Sequence, residues 1–305
     1  MNIASIDIGS NTVLLLITEV NDGQLTPLLN LYEMPRLGTG LLPNKPIAEE
    51  RITLLLGILD EYSKLIKEYD CEEVIITATN AMRIASNSAE IVQLVKQKFN
   101  FDIKIIGGNE EARLSYLGAS STLQNDEPRT VIDIGGGSTE IIYGTPTKIL
   151  FKQSFQTGVV SLTEKYLTKL PYPISAFGEI ENFFDETFQP IRNSIPKNVS
   201  TVAVAGTPTT LSGIFQNLEE YDEEKIEGSI LEAGVIKTLS NVLSSLDHGQ
   251  IQDLFRKIVK GREDVIFAGS LILDYLVRTL EVPRVIVSSK GIRYGSIIDY
   301  VNKLK

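Results

Sequence analysis

Two short stretches of the chain combine carboxylates with glycines in a way that can do phosphate chemistry. In Thr130 to Gly144, TVIDIGGGSTEIIYG, Asp133 stands inside an apolar run, and Gly135, Gly136, Gly137, Ser138, Thr139 and Glu140 lead into a second one. A carboxylate in a buried strand is costly unless something pairs with it. Glycine N–H groups, unshielded by side chains, can approach an oxyanion closely while Asp133 holds a cation over the same oxyanion. Glycine-rich hairpins with an Asp near the turn also occur without any ligand. A second copy weighs against that plain reading: Ile6-Asp7-Ile8-Gly9-Ser10-Asn11-Thr12 carries the same Ile-Asp-Ile-Gly 126 residues earlier. Two strand-turn-strand units, each with an Asp before its turn, are what a duplicated α/β fold gripping a phosphate chain between two lobes would show in sequence.

Three further places carry chemistry of this kind. Asn109-Glu110-Glu111-Ala112-Arg113 opens a helix, with Asn109 or Gly108 expected as its N-cap. Two glutamates in a first turn suit the helix dipole. The alternative is that one of them takes a proton from an attacking water. Arg83 follows a buried strand, Glu73 to Ala78, and reads either as a helix surface residue, which the local sequence favours, or as a phosphate fork. Gly206-Thr207-Pro208-Thr209-Thr210 takes another strand into a helix with Pro208 expected at its first position; N–H groups and hydroxyls there suit a phosphate and plain capping equally. His248 lies outside every motif and reads as an ordinary polar residue.

The elements that must position these groups follow from periodicity. The first hairpin and a strand over Leu25 to Tyr32 predict a three-stranded meander. Ile52, Leu55, Leu56, Leu59 and Ile66 recur at helical spacing and predict a helix from about Ala48 to Tyr69. The second hairpin, with a third strand through about Gln156, starts the same pattern again, followed by helices over Val159 to Leu170 and Ala176 to Asn193. The acidic stretch Leu218 to Glu227 reads as a solvated surface. The polar segment Gln124 to Arg129 marks a boundary, giving domains over 1–126 and 127–305, with the last helix, about 292–305, able to pack back on the first. A length of 305 residues accommodates two ordinary domains, and 43% hydrophobic with 22% charged residues is the balance of a soluble globular chain. A net charge of −10 argues against a broad basic surface for nucleic acid, so any polyanion must be held locally by metal, backbone N–H groups and a few arginines. No apolar run approaches the length of a membrane span, and the single cysteine, Cys71, suits a reducing, cytoplasmic setting.

With these residues in place the chain resembles the exopolyphosphatase/guanosine pentaphosphate phosphatase family of the acetate and sugar kinase, Hsp70 and actin superfamily. The resemblance runs along essentially the whole chain, through Ile6 to Asn11, Ala78 to Arg83, Gly108 to Arg113, Ile132 to Glu140, Gly206-Thr207 and Gly291 to Arg293. It implies two ribonuclease-H-like α/β domains around a cleft and magnesium-dependent hydrolysis of a terminal phosphate by water. Carried over by position, Glu111 is the expected base, Asp133 and Glu140 the expected metal ligands, and Asp7 an assisting one. Gly9, Ser10, Asn11, Arg83, Gly136, Gly137, Ser138 and Thr139, with Gly206 and Thr207, are the expected phosphate contacts. Tyr294 stands where many members have a glutamate.

The chain looks like the short two-domain form, which resembles exopolyphosphatases more often than guanosine pentaphosphate phosphatases, and the resemblance also suggests a homodimer. Inorganic polyphosphate is therefore the expected substrate and guanosine pentaphosphate the alternative, with no nucleic-acid or membrane partner. A phosphotransferase or actin-like ATPase would need a nucleotide pocket and an acceptor site. A non-hydrolysing sensor is disfavoured by the presence of Asp7, Glu111, Asp133 and Glu140 together.

Overall fold

The computed structural model describes residues 1–123 and 125–304. Gln124, in the expected boundary segment, and Lys305, at the end of the expected last helix, lie outside the described residues. The described chain divides into two compact units, Met1–Gly118 with the last helix, and Ala119–Gly291.

In the first unit β1 (Asn2–Ile8), β2 (Val13–Asn21) and β3 (Gln24–Glu33) form the antiparallel meander. After it, α1 (Glu49–Glu68) crosses to β4 (Glu73–Ala78), which runs parallel to β1. Then α2 (Asn80–Ile84) and α3 (Ser88–Phe99) lead to β5 (Ile103–Ile105), and α4 (Gly108–Ser120) comes next. The sheet order is β3-β2-β1-β4-β5. The apolar stripe of α1, with Leu55, Leu59, Tyr62 and Ile66 buried, packs into the same core as Ile6, Ile8, Val13 and Leu15. Tyr62 closes it by donating to the Val13 carbonyl at 3.1 Å, and burial raises its phenol pKa.

The second unit repeats the plan. β6 (Arg129–Ile134), β7 (Thr139–Thr145) and β8 (Lys148–Phe155) form a meander. Next come α5 (Val159–Tyr166), α6 (Ile174–Thr187), α7 (Ile191–Ser194) and β9 (Ser200–Val204), which is parallel to β6. The chain continues through α8 (Gly206–Phe215), α9 (Glu223–Ile226), β10 (Ile230–Glu232), α10 (Ala233–Ser244), α11 (His248–Phe255), α12 (Ile266–Thr279) and β11 (Arg284–Ser288). The sheet order is β10-β11-β9-β6-β7-β8, the first unit's order with one antiparallel edge strand, β10, added.

The last helix, α13 (Ile292–Leu304), belongs to the first unit. Tyr294, Ile297 and Val301 pack with Ile3, Leu16 and Val20, so Tyr294 is a buried core residue. Arg293 donates to the Leu15 carbonyl at 3.2 Å and to Asn30. Gly295 is needed for space, since a Cβ there would lie 1.8 Å from the Leu114 carbonyl oxygen of α4. Arg113 on α4 bonds both Glu110 oxygens at 2.8 and 2.9 Å and Asp299 on α13 at 2.8 Å.

Several expectations are corrected. The Gly107 carbonyl accepts from the Glu110 and Glu111 N–H groups, so Gly107 is the N-cap of α4 rather than Gly108 or Asn109. Pro208 is the third residue of α8, where its missing N–H still costs no helical bond. The first division falls at Gly118/Ala119 instead of 126/127, because the last residues of α4 and the turn after them are bonded within the second unit. Arg129, fully buried, donates to the Ser120 carbonyl, and the Thr122 hydroxyl donates to Glu227 at 2.7 Å. Glu227 is not a solvated charge: it also accepts from the Ser289 N–H at 2.7 Å and from the Ser288 and Ser289 hydroxyls. The helix after β8 stops at Tyr166, short of Leu170.

Candidate active site

The hairpin of the second unit is built so that two of its backbone amides face one way. Gly135 N–H donates across the turn to the Ser138 carbonyl at 2.9 Å, while the Gly135 and Gly136 carbonyls accept from Val159 and Val160 N–H of α5 at 3.0 and 2.8 Å. In a trans planar peptide the N–H points opposite to the C=O. The amides of Gly136 and Gly137 therefore point away from α5, at a place where Gly135 to Gly137 are partly exposed. Beside them, Asp133 and Glu140 are direct cross-strand partners and so share one face of the sheet. Both are buried, and Glu140 is oriented by Ser154 across β8, whose hydroxyl donates to Oε1 at 2.5 Å. Ser138 and Thr139 are buried too, with Thr139 donating to the Thr157 carbonyl at 2.7 Å.

In the first unit the hairpin carries the same turn bond, Gly9 N–H to the Thr12 carbonyl at 2.9 Å. Ser10 and Asn11 have their carbonyls held by the Gly38 and Arg36 N–H groups at 2.7 and 3.1 Å. Asp7 lies opposite Leu14 on β2. Elsewhere in this unit Arg83, at the end of α2, donates to Glu111 Oε2 at 2.5 Å and to the Ile106 carbonyl at 2.9 Å. Arg83 is thus not the surface residue that its place after a strand suggests, and Glu111 is 6% exposed. Glu110, by contrast, is taken by Arg113. One turn of α4 therefore holds two glutamates with separate arginines and separate surroundings.

Gly206 and Thr207 begin α8 after Ala205, whose φ of 74° turns the chain sharply out of β9. The Arg262 guanidinium lies directly over Gly206, where a Cβ would come within 1.3 Å of it. In sequence Arg262 reads only as the start of an apolar helix, because nothing in its spacing links it to Gly206. Ser154 and Gly158 stay hidden there for the same reason.

Among the described residues no three His, Cys, Asp or Glu side chains converge as a metal group. Magnesium seldom needs such a cage, since it commonly takes one or two carboxylates and completes its shell with water and phosphate oxygens. The buried pair Asp133 and Glu140, both hard oxygen donors on one face, fits that demand.

Two α/β units with the same strand order, each opening on an Asp-bearing hairpin, define a duplicated fold of the actin-like ATPase type. Comparison with known proteins gives the family. The model of the Ppx/GppA phosphatase family matches residues 16–304, and the chain belongs to that family, whose members are phosphatase hydrolases. It is 33% identical to a bifunctional 3-dehydroquinate synthase/phosphatase of Fusobacterium nucleatum over 98% of its own length, spanning 46% of that protein. It is 29% identical to exopolyphosphatase 2 of Mycobacterium tuberculosis, covering 91% of this chain and 90% of the relative. Among solved structures, the Aquifex aeolicus Ppx/GppA family member superposes with a TM-score of 0.86 at 32% identity, over 100% of this chain and 99% of that one. An exopolyphosphatase from Cytophaga hutchinsonii superposes with a TM-score of 0.91 at 26% identity, over 100% and 99%. No helix among the described residues is long and apolar enough to cross a membrane.

Proposed function

We propose that this chain is an exopolyphosphatase that removes the terminal phosphate of inorganic polyphosphate with water as nucleophile. The observation that carries the reading is the second hairpin, where two amides are turned outward beside two buried cross-strand carboxylates. Backbone N–H groups suit the phosphate oxygens. In this reading Asp133 and Glu140 hold magnesium with Asp7 assisting, and the ion supplies charge compensation for the phosphate. Ser138 and Thr139 flank the cradle. Glu111, its carboxylate fixed by Arg83, takes the proton of the attacking water. Gly9, Ser10, Asn11 and Arg83 on the first unit, and Gly206 and Thr207 on the second, contribute further phosphate contacts. Exopolyphosphatase 2, as a relative of nearly the same length, supports polyphosphate as the substrate.

The test is phosphate release from long-chain polyphosphate, guanosine pentaphosphate and ATP side by side, for the wild type, Glu111→Gln and Glu110→Gln. Polyphosphate should be the preferred substrate. Turnover should fall by about 10² to 10⁴ in Glu111→Gln, because an amide cannot accept the proton, and stay within a few-fold in Glu110→Gln. Preference for the guanosine nucleotide would transfer the reading to that substrate. Near-normal turnover in Glu111→Gln would remove the base assignment.

A further inference from the structure

The segment after β8 touches the glycine loop more closely than any expectation from its sequence. Gly158 has extended backbone, φ −142° and ψ −175°, a conformation open to any residue. Space is what requires glycine: a Cβ there would lie 2.5 Å from the Gly135 oxygen and 2.6 Å from both the carbonyl carbon and oxygen of Gly136. These are backbone atoms, which cannot swing aside as a side chain would. Immediately after it, Val159 and Val160 donate to those two carbonyls at 3.0 and 2.8 Å, and Ser161 N–H shares the Gly136 oxygen at 3.4 Å. The Ser161 hydroxyl accepts from Gly158 N–H at 2.9 Å and donates back to the Gly158 carbonyl at 3.1 Å. Thr139, on the far side of the turn, ties in through the Thr157 carbonyl.

The leading amides of α5 are thus spent on the loop's own carbonyls, so this helix start is not itself an anion site. We propose that the first turn of α5, Gly158 to Ser161, is a positioning element that fixes the direction of the Gly136 and Gly137 amides, with Gly158 as the residue that permits the contact. A glycine loop left alone can flip its peptides at little cost, because glycine reaches both halves of φ space. Pinning two consecutive carbonyls removes that freedom and preorganises the donors before any phosphate arrives. The inference rests on the proposed phosphate cradle and deepens it.

The experiment tracks the Gly136 and Gly137 amide resonances of ¹⁵N-labelled protein during titration with tripolyphosphate in magnesium-free buffer, alongside steady-state kinetics. Wild-type amides should shift on titration. In Gly158→Ala, affinity for tripolyphosphate should weaken about tenfold. The same variant should lose about 10²-fold in kcat/KM, the scale of an ångström-level misplacement. Wild-type affinity and amide response in a folded Gly158→Ala protein would overturn the positioning role. Silent Gly136 and Gly137 amides in the wild type would overturn the cradle reading itself, and the proposal with it. If Gly158→Ala does not fold, Ser161→Ala serves instead: weakened binding restored by Ser161→Thr supports the role, and unchanged binding overturns it.

Discussion

The two hairpins share a backbone and differ in what the backbone carries. Each opens on Ile-Asp-Ile-Gly and closes with a glycine N–H bonded to a carbonyl three residues on, at 2.9 Å in both. Each also has loop carbonyls held by N–H groups from the segment after the third strand of its meander. In the first unit that segment is the Arg36 to Gly38 loop, with Arg36 at a φ of 54°; in the second it is the start of α5. The side chains diverge at the positions proposed to meet metal and phosphate. Opposite Asp7 stands Leu14, whereas opposite Asp133 stands Glu140. Ser10 and Asn11 occupy the places of Gly136 and Gly137. A duplicated backbone has thus kept its turn geometry and changed its side chains: one loop carries a hydroxyl and an amide, the other bare backbone beside a buried carboxylate pair.

The largest effect that could break this comparison is at the two aspartates. If only the second hairpin holds magnesium directly, Asp133→Ala should lower turnover by about 10³, the equivalent of several kcal/mol of charge stabilisation. Asp7→Ala should cost about ten- to a hundredfold, as an orienting partner does. Magnesium titrations of both variants give the measurement. Equal losses would mean that the hairpins are equivalent and that Leu14 against Glu140 is an incidental difference.

A smaller effect separates the two ways of fastening the loops. At Gly38 an added Cβ would meet the Ser10 Cβ at 2.8 Å and its carbonyl oxygen at 3.2 Å, a milder conflict than at Gly158. Gly38→Ala should therefore cost about 1–3 kcal/mol of stability by overpacking. Its KM for polyphosphate should rise less than that of Gly158→Ala. Urea unfolding and steady-state kinetics read both quantities, and a Gly38 variant as impaired as the Gly158 one would erase the distinction.

What the sequence made legible was local. Repeated Ile-Asp-Ile-Gly revealed the duplication because alternation and glycine punctuation act within a few residues, and the α1 stripe revealed its buried face in the same way. What stayed hidden needed a partner distant in the chain. Glu227 reads as one of many surface acids until Thr122, Ser288 and Ser289 are seen around it. Tyr294 is only a departure from the family's usual glutamate, and Gly295 says nothing by itself, until α13 is docked on β1, β2 and α4. Gly107 is hidden as a cap for a different reason. Asn109 is the better capping residue by type, yet the chain enters the helix one residue before Gly108.

The units also differ in how they are completed, and this gives the smallest predicted effect. The first unit takes α13 from beyond the second, and Arg113, held within α4 by Glu110, bolts it on through Asp299. The Arg113 hydrogen bond is the main cause that holds each of these carboxyls below its usual range, against the opposing effect of partial burial. A depressed folded-state pKa stabilises above the unfolded value, about 4.3 for Glu and 3.9 for Asp, and the contribution fades as pH falls through the folded value. Arg113→Met, which keeps the aliphatic stem, should therefore cost about 1 kcal/mol at pH 7, a modest figure because all three groups are partly solvated. At about pH 3 the gap to wild type should shrink as the carboxylates protonate. Hydrogen exchange at pH 7 should quicken in the β1 and β2 amides and stay unchanged in β6 and β7, since only the first pair lies under α13. A stability gap that persists undiminished in acid would show that Arg113 acts through packing alone, and that the ion pairs add nothing to how the first unit is closed.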